Sequence, residues 1–176
     1  EPIATFKPTT PDSATLWSPE GSIIAVFADK TVAKDTERNI KMYSFARKDV
    51  IDVTTDNQSS GGSFSPDGRY FVYNSGDRLV SYDTKANVEA TRELNVASDA
   101  SQIAWNSADS FIFYNQDGLW EVNATSGEKA PLKYKSRTLP TVIKNLLFVK
   151  EKLYLFADNG VYEFSSPANT SETEKK

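Results

Sequence analysis

The sequence contains no cysteine and no histidine, and these two absences exclude more chemistry than any motif present supplies. Without Cys there are no disulfides and no thiolate nucleophile. Without His the commonest general base and the commonest zinc ligand are both missing, so serine–histidine and cysteine–histidine catalysis are excluded and a metal site would need oxygen ligands. There is no cationic excess: 20 Lys and Arg stand against 24 Asp and Glu, a net charge of −4, which argues against a nucleic-acid partner. No run approaches the 18 apolar residues of a spanning helix and no signal-peptide pattern is visible, so no direct membrane insertion by this chain is expected. A start at Glu1 rather than Met reads as a processed or excised chain. Phosphate loops, helix–loop–helix calcium loops and dinucleotide fingerprints are absent, and no cofactor is expected. Helical periodicity is lacking too.

What is present is a repeat. Trp17-Ser-Pro-Glu-Gly21, Phe64-Ser-Pro-Asp-Gly68, Trp105-Asn-Ser-Ala-Asp109 and Phe148-Val-Lys-Glu-Lys152 superimpose, with aromatic leads 47, 41 and 43 residues apart. Each lead ends a short strand and precedes a turn, and in the first two copies Ser, Pro and Gly occupy the positions that a type I turn favours. A β-branched and aromatic strand follows: Ile23–Phe27, Tyr70–Tyr73, Phe111–Tyr114 and Leu153–Phe156. Lacking polar alternation, these strands should be buried on both faces. Hairpin turns rich in Asn, Asp and Gly come next, except in the first copy, where Asp29 to Arg38 reads as a longer loop. Third strands then align in columns: Met42–Phe45, Leu79–Tyr82, Leu119–Val122 and Val161–Phe164, each with a polar third residue (Ser44, Ser81, Glu121, Glu163). Weaker fourth strands are expected at Val50–Val53, Ala90–Val96 and Leu132–Lys135.

The pattern predicts an all-β fold, a β-propeller of four repeats of about 41–47 residues covering residues 1–164. The repeats run at approximately 13–53, 61–96, 101–135 and 143–164. The last lacks a fourth strand, and Ile3–Phe6 is a spare strand that could close the ring; the alternative is part of a larger propeller. Residues 165–176, rich in Ser, Thr, Glu and Lys, read as a disordered tail. Trp17 and Trp105, in the first-strand aromatic column, are expected in the core between blades.

Phe64-Ser-Pro-Asp-Gly-Arg-Tyr-Phe-Val-Tyr73 followed by Leu79-Val-Ser-Tyr-Asp83 resembles the WD40-like repeat of bacterial TolB-type propellers and of the propellers beside prolyl-oligopeptidase-like hydrolases. The resemblance implies a non-catalytic binding or scaffold module, extracytoplasmic in a bacterial envelope, with a protein or peptide as partner. The Gly-His and Trp-Asp marks of eukaryotic WD40 repeats are missing. In such a propeller the second-to-third-strand loops and the blade connectors share one face. That face would gather Asp29, Asp77, Asp117 and Asp158 beside Lys30, Lys34, Arg38 and Arg78. The same carboxylates could serve a carbohydrate-binding or glycan-active site, although Asp at a hairpin also serves backbone geometry.

Overall fold

A computed structural model describes residues 15–32, 35–86, 90–94, 96, 102–115, 117–132 and 142–165, with the side chains of 28–32, 35–37 and 165 left outside the description. The spare strand expected at Ile3–Phe6 and the tail beyond Ser165 lie outside the described residues.

Fifteen strands form four antiparallel sheets, and no α-helix occurs among the described residues. The first sheet is β1 (Thr15–Trp17), β2 (Ile23–Val32), β3 (Asp35–Ser44) and β4 (Asp49–Asp52), in sequence order. The second is β5 (Ser59–Phe64), β6 (Tyr70–Ser75), β7 (Arg78–Asp83) and β8 (Thr91–Glu93). The third comprises β9 (Ala104–Trp105), β10 (Ser110–Asn115), β11 (Gly118–Asn123) and β12 (Lys129–Pro131), and the fourth β13 (Ile143–Val149), β14 (Lys152–Ala157) and β15 (Gly160–Ser165). Every repeat copy thus becomes one meandering sheet.

Three apolar clusters join consecutive sheets. Ala25, Ile40 and Met42 of the first meet Phe64, Phe71 and Tyr73 of the second. Val72 and Leu79 on the other side of the second meet Phe111, Phe113 and Val122 of the third. Ile112 and Leu119 of the third meet Leu146, Leu153 and Leu155 of the fourth. The middle sheets, covered on both sides, bury Tyr70–Tyr73 and Phe111–Phe113 completely, as the unbroken apolar runs predict.

Each sheet has a backward face, toward its predecessor, and a forward face, toward its successor. The aromatic column (Trp17, Phe64, Trp105, Phe148) lies on the backward face. Phe64, Trp105 and Phe148 pack against the preceding sheet's cluster. Trp17 has no described sheet behind it and is 57% exposed, stacked on Phe45 at 5.8 Å. The expected core position of Trp17 is therefore corrected: its column is right, but no sheet among the described residues covers it. At the other end, the forward face of the fourth sheet exposes Leu147, Val149, Phe156 and Val161. No apolar cluster among the described residues joins the first sheet to the fourth, so the ring closure anticipated from the sequence is not seen.

Two further corrections concern strands. Asp29 to Arg38 is not a loop: β2 and β3 pair continuously from Ile23↔Ser44 to Val32↔Asp35, with Asp29 opposite Arg38. No Gly or Pro interrupts this stretch, so the ladder extends into a ten-residue hairpin. In the third sheet the fourth strand begins earlier than expected, at Lys129–Pro131, because the tight turn at Thr125–Gly127 sets the register Val122↔Lys129, and the Leu132 N–H still donates to the Leu119 carbonyl. Residues 133–135 lie outside the described residues.

The Ser-Pro-Asp/Glu-Gly turn does more than reverse the chain. Ser65 exchanges backbone hydrogen bonds with Gly68 and Tyr70, and its fully buried hydroxyl accepts the Tyr70 N–H at 2.9 Å. Ser18 does the same for Ile23 at 3.0 Å. Ser65→Ala should therefore destabilise the fold by about 1–3 kcal/mol, because a buried N–H loses its acceptor. Chemical denaturation measures it, and an unchanged midpoint would contradict this role. In the fourth copy, where the motif is lost, Lys150 and Glu151 adopt φ of 49° and 63° in a two-residue turn closing Val149↔Lys152.

Candidate functional site

The β2–β3 hairpin and the β6–β7 turn both meet the first blade connector. The connector 53–58 leaves β4 and passes under the β2–β3 hairpin: the Arg38 N–H donates to the Asn57 carbonyl, and Arg38 bridges Gln58 in parallel. It continues beneath the β6–β7 turn, where the Gly76 N–H donates to the Gln58 carbonyl. Asn39 and Asn57 lock this crossing: the Asn39 side-chain amide donates to Asn57 Oδ1 at 2.7 Å, and the Asn57 backbone N–H donates to Asn39 Oδ1 at 3.1 Å.

The anticipated site residues are placed as follows. Asp29, Lys30 and Arg38 lie on the β2–β3 hairpin, with Arg38 exposed; the side chains of Asp29 and Lys30 and all of Lys34 lie outside the described residues. Asp77, at the β6–β7 turn, is almost wholly exposed, and Arg78 beside it reaches across to Glu93 at 2.9 Å. Asp117 occupies the β10–β11 turn, its N–H bonded to the Asn115 side chain. Asp158, at the β14–β15 turn, is ion-paired with Lys144. Among the described residues no three carboxylates come together as a metal-binding group.

Sequence reasoning missed Asp56, which organises the connector. Its carboxylate accepts the Ser75 hydroxyl at 2.6 Å, the Ser59 hydroxyl at 2.8 Å and the Gln58 N–H at 3.0 Å. Burial alone would raise its pKa, but these hydrogen bonds outweigh burial and hold it below the ordinary 3.8. A carboxyl depressed in the folded state contributes stability above its unfolded pKa and loses it as pH falls through the folded value. Asp56→Asn should therefore melt below the wild type at neutral pH, and the gap should narrow as pH drops beneath about 3.8. Melting temperatures of both proteins across that range check it; a gap independent of pH would count against it.

The polar third-strand column also acquires a position. Ser44, Ser81 and Glu121 lie on the forward faces of their sheets, towards the next sheet, while Glu163 lies on the uncovered forward face of the last, paired with Lys152. Two of them line grooves. Glu121, hydrogen-bonded by Asn106 at 2.6 Å, shares an open groove of about 540 Å³ with Ser110, Asn123, Glu128 and Lys129. Ser81 lines a smaller groove of about 130 Å³ between the second and third sheets, with Arg69, Tyr70, Asp83, Arg92 and Thr125. The sequence signal for these grooves was the column itself.

No protein-family model and no curated protein matches the chain. Its fold is similar to solved β-propeller-type structures at low identity. Porphyromonas gingivalis dipeptidyl peptidase 4 superimposes with a TM-score of 0.61 and 11% identity, over 80% of this chain and 28% of that one. Oligogalacturonate lyase from Vibrio parahaemolyticus gives 0.54 and 14%, over 86% and 49%. The extracellular domain of a putative one-component system from B. thetaiotaomicron gives 0.52 and 13%, over 87% and 19%. The chain thus spans less than half the length of each. At such identities the likeness shows the architecture, a propeller-type stack of four sheets, and nothing finer.

Proposed function

We propose that this chain is a non-catalytic propeller module of the TolB-like kind, recognising a protein or peptide in an extracytoplasmic setting. The observation that carries the reading is the β2–β3 hairpin: its ten-residue strands outrun those of every other sheet, at the end where connector and hairpin turns converge. The ladder runs on past its pairing with β1 and β4, and a strand edge flanked in sequence by charged residues suits an extended partner. The likeness to an extracellular bacterial domain supports the setting. The glycan-active alternative rests on Asp77, Asp117 and Asp158, which stand on three separate hairpins, and has no comparably specific observation behind it.

The test is selection of peptides from a random library on the wild-type chain, followed by titration against the triple variant Lys30→Ala, Lys34→Ala and Arg38→Ala. Loss of about tenfold or more in affinity is expected, equivalent to about 1.4 kcal/mol. Unchanged affinity, or no selected peptide, overturns the reading.

A further inference from the structure

We propose that the groove between the second and third sheets is a binding site for a small oxyanion, a carboxylate or phosphate group. This site is distinct from the hairpin surface and does not depend on the reading given to it. The argument starts from Ser81. Its place in the middle of β7 leaves it only 2% exposed, and it lines the groove. A hydroxyl at a groove wall can donate its proton to an acceptor seated there.

The surrounding groups define what that something is. Arg69 directs Nε and Nη2 to a single oxygen of Asp83, at 3.2 and 3.0 Å, leaving Nη1 free of that pair. The other Asp83 oxygen accepts the Lys85 N–H at 2.9 Å. The one carboxylate lining the groove is thus committed. Arg92, directly across the ladder from Ser81, has no carboxylate partner among the described residues; its one hydrogen bond is a long 3.5 Å contact to the Ser126 carbonyl. The Tyr70 hydroxyl accepts a hydrogen bond from Thr125 at 2.7 Å, which leaves its own proton to donate.

The groove therefore offers O–H and guanidinium N–H donors, one uncompensated positive charge and no uncommitted carboxylate. That inventory fits an anion. The volume, about 130 Å³, falls well below the roughly 300–1,000 Å³ of pockets for larger organic ligands, so the occupant is a single oxyanion group. The neighbouring groove around Glu121 and Glu128 has the opposite character and serves as an internal control.

Inorganic phosphate and succinate are the probes. Titrated into the 15N-labelled chain at constant ionic strength, either should shift the amide signals of Ser81, Arg92 and Thr125 saturably, while those of Glu121 and Glu128 stay put. Tighter binding of phosphate assigns a phosphorylated ligand; tighter binding of succinate assigns a carboxylate. Arg92→Ala should weaken binding about tenfold or more, and Ser81→Ala several-fold. Arg92→Lys should restore only part, because the planar fork is lost while the charge remains. Arg92 sits exposed on an edge strand, so its replacement leaves the fold intact and a loss of binding is attributable to the site. Absence of a saturable shift with both probes at millimolar concentration, or affinity unchanged in Arg92→Ala, overturns the proposal.

Discussion

Phe71→Ala is expected to cost about 3–5 kcal/mol of folding stability, the range for truncating a fully buried aromatic. Phe71 is wholly inaccessible to solvent and lies on the backward face of the second sheet. Its ring meets Phe64 at 4.6 Å and Tyr73 at 6.1 Å within its own sheet, and Phe27 of the first sheet at 6.4 Å. Truncation removes the ring at the centre of this group and leaves a cavity between two sheets that share one apolar cluster. Domains of this size are stable by only about 5–15 kcal/mol, so about a fifth or more of the total is at stake. Urea denaturation followed by tyrosine and tryptophan fluorescence measures it. Phe71→Leu, which refills part of the space, should lose less; a cost below about 1 kcal/mol for Phe71→Ala would mean that the first two sheets are held by something else.

The second large effect comes from the other side of the same ring. Gly62 sits in β5 at the irregularity between Ser60 and Ser63, and a Cβ added there would lie 2.2 Å from Phe71 Cζ and 2.8 Å from Cε2. The ring edge is pinned by its neighbours and cannot swing aside as a flexible side chain would. Gly62→Ala should therefore destabilise by about 1–3 kcal/mol through overpacking, despite adding a single methyl group. The two changes are coupled. In the Phe71→Ala background the added methyl group meets a cavity instead of a ring, so its cost should fall to the strain of an L residue at a φ of 158°, and a double-mutant cycle should show non-additivity. Simple additivity would show that the glycine is needed for backbone reasons rather than for its contact with Phe71.

Much of the architecture was legible because packing between sheets imposes the same demand at the same position of each copy. The columns led by Trp17, Phe64, Trp105 and Phe148, and the polar column through Ser81 and Glu121, are the repeated faces of one interface. Exposure was not legible in the same way: Trp17 belongs to its column by sequence, yet its environment depends on whether a sheet stands behind it. The Asp29 to Arg38 stretch misled for a related reason. The stretch is rich in charge and lacks apolar alternation, so it read as a loop, although Thr31, Val32 and Thr36 suit a strand. The fourth strand at Lys129–Pro131 was displaced because turn geometry, rather than the apolar Leu132, set its register. Of the groove between the second and third sheets, the sequence marked only Ser81, through its column. Arg69 precedes the inner strand β6, Arg92 lies on the edge strand β8, and Thr125 enters from the next sheet. Only the topology brings them into one place.

The stacking of the sheets also fixes the order in which the molecule comes apart. Each apolar cluster is shared by two consecutive sheets, so the second and third sheets each hold two clusters while the first and fourth hold one. In a nearest-neighbour array, opening an end sheet sacrifices one interface and opening a middle sheet sacrifices two. Amide protons of β14 and β15 should accordingly exchange with deuterium well before those of β6, β7 and β10, and the slowest protons should trace the seam between Val72 and Phe113.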